Sequence, residues 1–306
     1  MEIDKRIQKI IDNVEKIIKG KRDKIILSLV PLVSEGHLIY IDIPGVGKTT
    51  LGEAIANSIE TKTSRIQFTA DLLPSDIIGV SIFNRENNAF EFKKGPIFAN
   101  IVIADEINRA PPKTQSALLE GMSERSVTVD NITYALPTPF LVIATENPVE
   151  FTGTYALLES ELDRFMISLD IGYPDSKTEL EILAEDRRLE AKDLKNVVTM
   201  DEIKEVIDEA KQVSIDESVL KYLYEIVQKT RVHRSIKLGI STRGMIDYMK
   251  AAKGLAKILG RSFVIPDDIK TLAKPVIKHR LIFKEKDLRS QDEIIEDILN
   301  ETKVPV

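Results

Sequence analysis

The run HLIYIDIPGVGKTT, residues 37–50, limits what this chain can fold into more than any other stretch of it. A short apolar run, a turn with glycine at 45 and 47, and the helical pattern TTLGEAIANSI read as strand, loop and helix in direct succession. A strand that hands over to a helix cannot pair with its successor as a hairpin. The chain must cross over and return parallel, which predicts an α/β architecture with helices on both faces of the sheet. Four further runs fit that plan: RIQFT (65–69), IVIAD (101–105), FLVIAT (140–145) and FMISLDI (165–171). Most are apolar throughout, as strands covered on both faces must be. Between the third and fourth, SVTVDNITYAL alternates about Asp130-Asn131 and predicts an antiparallel hairpin at 127–136 inserted into the parallel plan.

After YPDSK (173–177) the pattern is helical. It opens with TELEILAEDRRLE, and Thr199 with Glu202 and Ser214 with Glu217 form capping boxes for two more helices. Another helix is expected from near Ser241 to Gly260, and a last one after Pro266. The expected division is therefore an α/β core at 1–175, with an N-terminal helix, and an all-helical domain at 176–306. A chain of 306 residues is long enough for two such domains. Hydrophobic content of 43% and charged content of 30% describe a soluble globular chain, and no apolar run approaches the roughly 18 residues that span a bilayer. The first twenty residues alternate charge with isoleucine, without the apolar centre or cleavage site of a signal peptide, so a cytoplasmic location is expected. The absence of cysteine excludes disulfides, thiolate metal sites and cysteine nucleophiles. A net charge of -6 argues weakly against nucleic acid, which would need a local basic surface.

The loop carries the first chemistry. Backbone N–H groups from Gly45 to Thr49 would form an anion cradle at a helix N-terminus, with Pro44, Gly45, Val46, Gly47, Lys48, Thr49 and Thr50 around the phosphates. Lys48 would reach the outer phosphates and Thr49 would ligate magnesium. The pattern G-x-x-x-x-G-K-[ST] asks for glycine where Asp42 stands. A charge about 6 Å from a phosphate costs on the order of 3 kcal/mol at an effective dielectric of 20 and under about 1 in water-like surroundings. Asp42 is thus expected to weaken the site by roughly threefold to a hundredfold without abolishing it. In IVIADE, Asp105 would complete the magnesium shell and Glu106 would polarise the attacking water. In FLVIATENP, the Asn147 amide would bind that water or the outer phosphate. ESELDRF puts Arg164 just before the fifth strand. GISTRGM puts Arg243 in the first turn of a helix, where it opposes the dipole and so calls for an anionic partner or a surface salt bridge.

Other residues carry less. His37, His233 and His279 are scattered, with no acidic spacing typical of metal ligands. The cluster KTRVHR (229–234) reads as a solvated helix end, or as a face turned to a neighbouring subunit. Arg109 and Lys113 in NRAPPK fall outside the core site, and DLLPSDIIG is a turn-rich surface element.

GPIFANIVIADEINRAPPKTQSALLEGMSERSVTV, with ATENPVEFTGTY and LDRF, resembles the MoxR family of AAA+ ATPases over about residues 20–283. The resemblance implies a five-stranded parallel sheet in the order 5-1-4-3-2 between helices, a helical lid domain, and nucleotide between core and lid. It implies that Lys48 and Thr49 form Walker A, Asp105 and Glu106 Walker B, Asn147 sensor 1 and Arg243 sensor 2. Arg164 would be an arginine finger serving the neighbouring subunit, in a ring that is usually a hexamer. A helix-2 insert would lie in DLLPSDIIGVSIFNRENNAFEFKKGP, and the 127–136 hairpin would be the pre-sensor 1 insertion. ATP and Mg2+ are the implied substrate and cofactor; a von Willebrand factor A domain protein or another client is the implied partner. Two alternatives stay open: a DNA-directed motor of the same clade, disfavoured because SVTVDNITY has no Lys or Arg, and a nucleotide-regulated scaffold with vestigial hydrolysis.

Overall fold

The computed structural model describes residues 2–86, 88–148, 153–184, 189–284 and 289–305. Helix α1 (Lys5–Val14) is capped by Asp4, whose carboxylate accepts the Arg6 N–H, and buries Ile7, Ile10, Ile11 and Val14 along one stripe. Helix α2 (Arg22–Val33) leads into β1 (Leu38–Ile41), and the loop after β1 opens α3 (Lys48–Asn57). Strands β2 (Ile59–Glu60) and β3 (Thr63–Gln67) follow. Next come α4 (Pro74–Ile78) and the hairpin of β4 (Gly79–Asn84) with β5 (Ala89–Lys94), in the stretch where the insert is expected. Strand β6 (Ile101–Asp105), α5 (Pro112–Glu124) and the hairpin β7 (Ser126–Val129) and β8 (Ile132–Ala135) precede β9 (Leu141–Glu146), α6 (Glu159–Leu162) and β10 (Ile167–Leu169). The β7–β8 turn has positive φ at Asp130 and Asn131, as the alternation about that pair predicts.

Five of these strands form one parallel sheet in the order β10-β1-β9-β6-β3, the order 5-1-4-3-2 of the resemblance. Its alternating side chains make two apolar faces. Leu38, Tyr40, Ile101, Ile103, Leu141 and Ile143 join the core shared with α1, α2 and α3, whereas Ile39, Val102, Ala104, Val142 and Ala144 join the core under α4 and α5.

Beyond β10 the chain is mainly helical: α7 (Ser176–Ala184), then β11 (Val198–Thr199), α8 (Met200–Lys211), α9 (Glu217–Val232), β12 (Ile236–Leu238), α10 (Thr242–Ile258), α11 (Pro266–Ile277), β13 (Ile282–Phe283) and α12 (Gln291–Glu301). The short strands pair β11 with β2 and β12 with β13, and runs of two or three residues leave no alternation to read in a sequence. The Thr199–Glu202 capping box forms as expected, but α9 is capped by the Asp216 side chain rather than by Ser214, which bridges to Phe263. Part of EDRRLE (185–188) and of NPVEFTG (149–152) lies outside the described residues.

Strand β10 is shorter than the run FMISLDI because its flanks are bonded elsewhere. Phe165 O accepts from His279 Nε2 at 2.9 Å and from Arg280 at 2.7 Å, and Met166 O accepts from Arg280 at 3.0 Å. At the other end the Ile171 N–H goes to Asp42.

Candidate functional site

The loop between β1 and α3 turns on two left-handed glycines, Gly45 at φ 82° and Gly47 at φ 89°, conformations that cost a side chain on the order of 1 kcal/mol. A Cβ at Gly45 would meet nothing within 4 Å, so the loop faces open space there. Gly47 caps α3 without a side-chain acceptor, which leaves the first-turn N–H groups available to an anion. Lys48, 9% exposed, is the exception among lysines, which are seldom buried unless paired. Its ammonium donates to the carbonyl oxygens of Asp42 and, at 3.0 Å, of Ile43. Burial lowers its pKa, opposed by the negative field of Asp42, Glu106, Asp105 and Glu146.

Parallel register assembles the rest. Ile41 sits beside Glu146, and Gln67 beside Asp105, so the carboxyl ends of β1, β3, β6 and β9 share one edge. Asp105 Oδ1 accepts from Thr49 Oγ1 and from Thr145 Oγ1, each at 2.7 Å, while Oδ2 pairs with Arg65 at 2.7 Å. Two hard oxygens at this separation fit a small divalent cation that takes its remaining ligands from phosphates and water. Among the described residues no set of three His, Cys, Asp or Glu could hold a metal by itself. Glu106 leaves the strand at φ 55°, a left-handed turn unusual for glutamate, with its N–H donated to Thr145 Oγ1 at 2.8 Å. Its carboxylate accepts from Gln67 Nε2 at 3.0 Å and Arg109 at 2.9 Å. Asn147, buried just past β9, is fixed through its carbonyl by Asn108 Nδ2 at 3.1 Å. Burial raises the pKa of neighbouring Glu146, opposed by Lys48.

Lys48, Thr49, Asp105, Glu106 and Asn147 are thus brought together. Arg65, Gln67 and Thr145 join the cluster and were not singled out by the sequence, and Arg109, expected outside the core site, reaches the Glu106 carboxylate. The available signal was register: Arg65 and Gln67 share one side of the strand next to Asp105, visible only once that pairing is known.

Asp42 departs from expectation. Its carboxylate is turned from the loop toward the segment after β10: Oδ2 accepts the N–H groups of Ile171 and Gly172, both at 2.7 Å, and Oδ1 accepts the Ile43 N–H at 2.8 Å. A charge that accepts three N–H groups is compensated, so the cost reckoned for a bare charge is too large.

The two arginines do not join this edge. Arg164 precedes β10, whose Ile167 pairs with Leu38 at the start of β1, and it donates to Leu119 O at 2.7 Å and Ser123 Oγ at 2.8 Å. Arg243 lies two residues past Ser241, whose hydroxyl contacts Asp163 at 3.1 Å. Both therefore sit at the amino edge of the sheet, about 13 Å of strand rise from the phosphate loop of their own chain. His37 and His279 are structural. His37 Nδ1 accepts the Val142 N–H at 3.0 Å and Nε2 faces Met122 O at 3.2 Å, and burial followed by the field of Arg125 brings its pKa down to about 3.

Comparison with known proteins agrees with this architecture. Residues 37–167 match the model of the ATPase family associated with various cellular activities (AAA), and residues 228–298 match an AAA lid domain. The chain is 46% identical over 97% of its length to the uncharacterized protein YeaC of Bacillus subtilis strain 168, of which it covers 94%. It is 36% identical over 90% of its length to Chaperone MoxR1 of Mycobacterium tuberculosis, covering 75% of that protein. A crystal structure of a protein from Cytophaga hutchinsonii superimposes with a TM-score of 0.89 at 38% identity, over 98% of this chain and 95% of that one. With the strand order, the loop and the lid all in place, this chain belongs to the MoxR family of AAA+ ATPases.

Proposed function

We propose that the protein hydrolyses Mg-ATP in an oligomeric ring, with a hexamer as the expected form, and uses the cycle to remodel or mature partner proteins. The observation that carries this reading is the split between the two edges. Lys48, Thr49, Asp105, Glu106 and Asn147 cluster at the carboxyl edge, while Arg164 and Arg243 stand at the amino edge, which supports a role for both arginines at a neighbour's nucleotide. A site assembled in this way is completed by adjacent copies.

Within one subunit, the N–H groups from Gly45 to Thr49 cradle the phosphates, and the Lys48 ammonium moves its hydrogen bonds from the loop carbonyls to the outer phosphate oxygens. Thr49 Oγ1 and Asp105 Oδ1 would hold magnesium, which when bound neutralises phosphate charge. Glu106 accepts a hydrogen bond from the attacking water, and Asn147 orients it from the neighbouring strand. The Mycobacterium tuberculosis relative is named a chaperone, which supports a client protein as partner. A von Willebrand factor A domain protein is the proposed class. The exposed pair Phe83 and Phe90, ring centroids 5.3 Å apart on the β4–β5 hairpin, offers an apolar contact for such a client. The β7–β8 tip carries Asp130, which accepts from Ser81, and an acidic tip does not favour nucleic acid. No helix among the described residues is long and apolar enough to cross a membrane.

The test is ATP hydrolysis per subunit across protein concentration, with Glu106→Gln, Arg164→Ala and Lys48→Ala alongside. Activity should climb with concentration and vanish in each variant. Mixing Arg164→Ala with Lys48→Ala should then restore up to about one quarter of it, because random neighbours re-create intact interfaces. Activity that is flat with concentration and never restored by mixing would favour the scaffold.

A further inference from the structure

Asp42 stands where the phosphate-loop pattern has glycine, and the structure gives its side chain a partner that glycine cannot have. The segment 171–175 carries the chain from β10 to α7. Its first two N–H groups, on Ile171 and Gly172, both end on Asp42 Oδ2 at 2.7 Å. The same segment touches the connection between α1 and α2: Lys21 Nζ donates to Tyr173 O at 2.7 Å, and a Cβ on Gly20 would lie 3.6 Å from Asp175 Oδ2. That connection also approaches the phosphate loop, since Ile18 Cδ1 lies 3.7 Å from a Cβ built on Gly47. The loop, the connection and the segment form one shell, and Asp42 is its joint with the loop. Its backbone carbonyl and that of Ile43 accept the Lys48 ammonium, so one residue holds the lysine by its main chain and the segment by its side chain.

We propose that Asp42 is a positioning residue that joins the phosphate loop and segment 171–175 into one nucleotide-responsive unit, so that engagement of a phosphate by Lys48 is felt at the segment leading to the lid. The proposal rests on the nucleotide-site reading above. It inverts the electrostatic expectation from the sequence. Restoring the pattern's glycine removes the acceptor for three N–H groups, two of them on the segment, and should loosen the site, although it also removes a negative charge.

The experiment is amide hydrogen exchange on the full chain with and without Mg-ADP, for wild type, Asp42→Gly and Asp42→Asn, together with Mg-ADP affinity. In wild type, nucleotide should slow exchange at both 45–49 and 171–172. In Asp42→Gly, amides 171 and 172 should exchange about tenfold faster without nucleotide, as expected when charge-assisted hydrogen bonds are lost. Nucleotide should then protect 45–49 alone, and affinity should fall by about threefold or more. Asp42→Asn keeps one oxygen acceptor and should lie between the two, which also guards against a glycine variant that fails to fold. Tighter Mg-ADP binding by Asp42→Gly, or undiminished protection of 171–172 in both variants, overturns the proposal. Failure of the underlying site reading looks different: wild type then shows no protection at 45–49, and the coupling falls with it.

Discussion

Arg280 lies almost wholly buried against Asp163, with Nε donating to Oδ1 at 2.9 Å, and so ties the lid to the residue immediately before Arg164. The same guanidinium reaches Asp247 of α10 at 3.0 Å and the carbonyls of Phe165, Met166 and Val276 at 2.7, 3.0 and 2.6 Å. Ser241, at the cap of α10, also contacts Asp163. One cation therefore fixes Arg164 of the core and the start of the helix bearing Arg243 as a unit. Arg280→Ala should destabilise the protein by about 3–5 kcal/mol in urea unfolding, because two carboxylates lose their cation and three carbonyls each lose a hydrogen bond. Arg280→Lys should not rescue it, since one ammonium cannot match a planar fork. Mg-ADP affinity of the folded fraction should be unchanged while concentration-dependent hydrolysis is lost.

Glu106 occupies left-handed backbone at φ 55°. Both Glu106→Ala and Glu106→Gly remove the carboxylate and should abolish hydrolysis. Their stabilities should differ: glycine adopts this conformation freely, so Glu106→Gly should be about 1 kcal/mol more stable than Glu106→Ala in chemical denaturation. Equal stabilities would mean that the turn relaxes and the strain is absent.

The pKa of His37 is near 3 in the fold against an ordinary value of 6.5, so the unfolded chain binds a proton that the folded chain refuses. Its contribution to stability is full above pH 6.5 and is lost on acidification toward pH 3. The sign follows from more protons bound in the unfolded state. Between pH 7 and pH 5 the loss should be about 2 kcal/mol. Buried His279, also held neutral, acts in the same direction, whereas Glu146 and Asp247, raised by burial, act against it. The difference profile between wild type and His37→Gln isolates the His37 share, since the other groups cancel.

Gly254 brings α10 against the end of α2: a Cβ there would lie 2.0 Å from Ser34 Oγ. Gly254→Ala should cost about 1–3 kcal/mol despite the better helix propensity of alanine. With Ser34→Ala in the same chain the hydroxyl is gone and the nearest remaining side-chain atom is Ser34 Cβ at 3.4 Å, an ordinary contact. The double variant should recover most of the loss, a coupling of about 1–2 kcal/mol in a double-mutant cycle of thermal or urea unfolding.

The local code of this chain was legible wherever a signal is short-ranged. Continuous apolar runs mark strands covered on both faces, Asp130-Asn131 marks a hairpin turn, and Gly45 and Gly47 mark a loop that exposes N–H groups at the start of α3; each depends on residues a few positions apart. The sequence by itself therefore determined the α/β class, the glycine loop that opens α3, and the acids at the end of β6. Tertiary structure alone decided what faces what. That Gln67 holds Glu106, and that Arg65 meets Asp105, depends on strand register. That the start of the helix bearing Arg243 stands beside Asp163, away from the loop after β1, depends on how the lid packs against the residue before Arg164, through Arg280 and Ser241. That Asp42 turns its charge to Ile171 and Gly172 depends on a chain segment 129 residues away. Hydrogen bonds and ion pairs between distant segments leave no periodicity in the chain, because each end satisfies its own local rules and only the closed fold brings donor to acceptor.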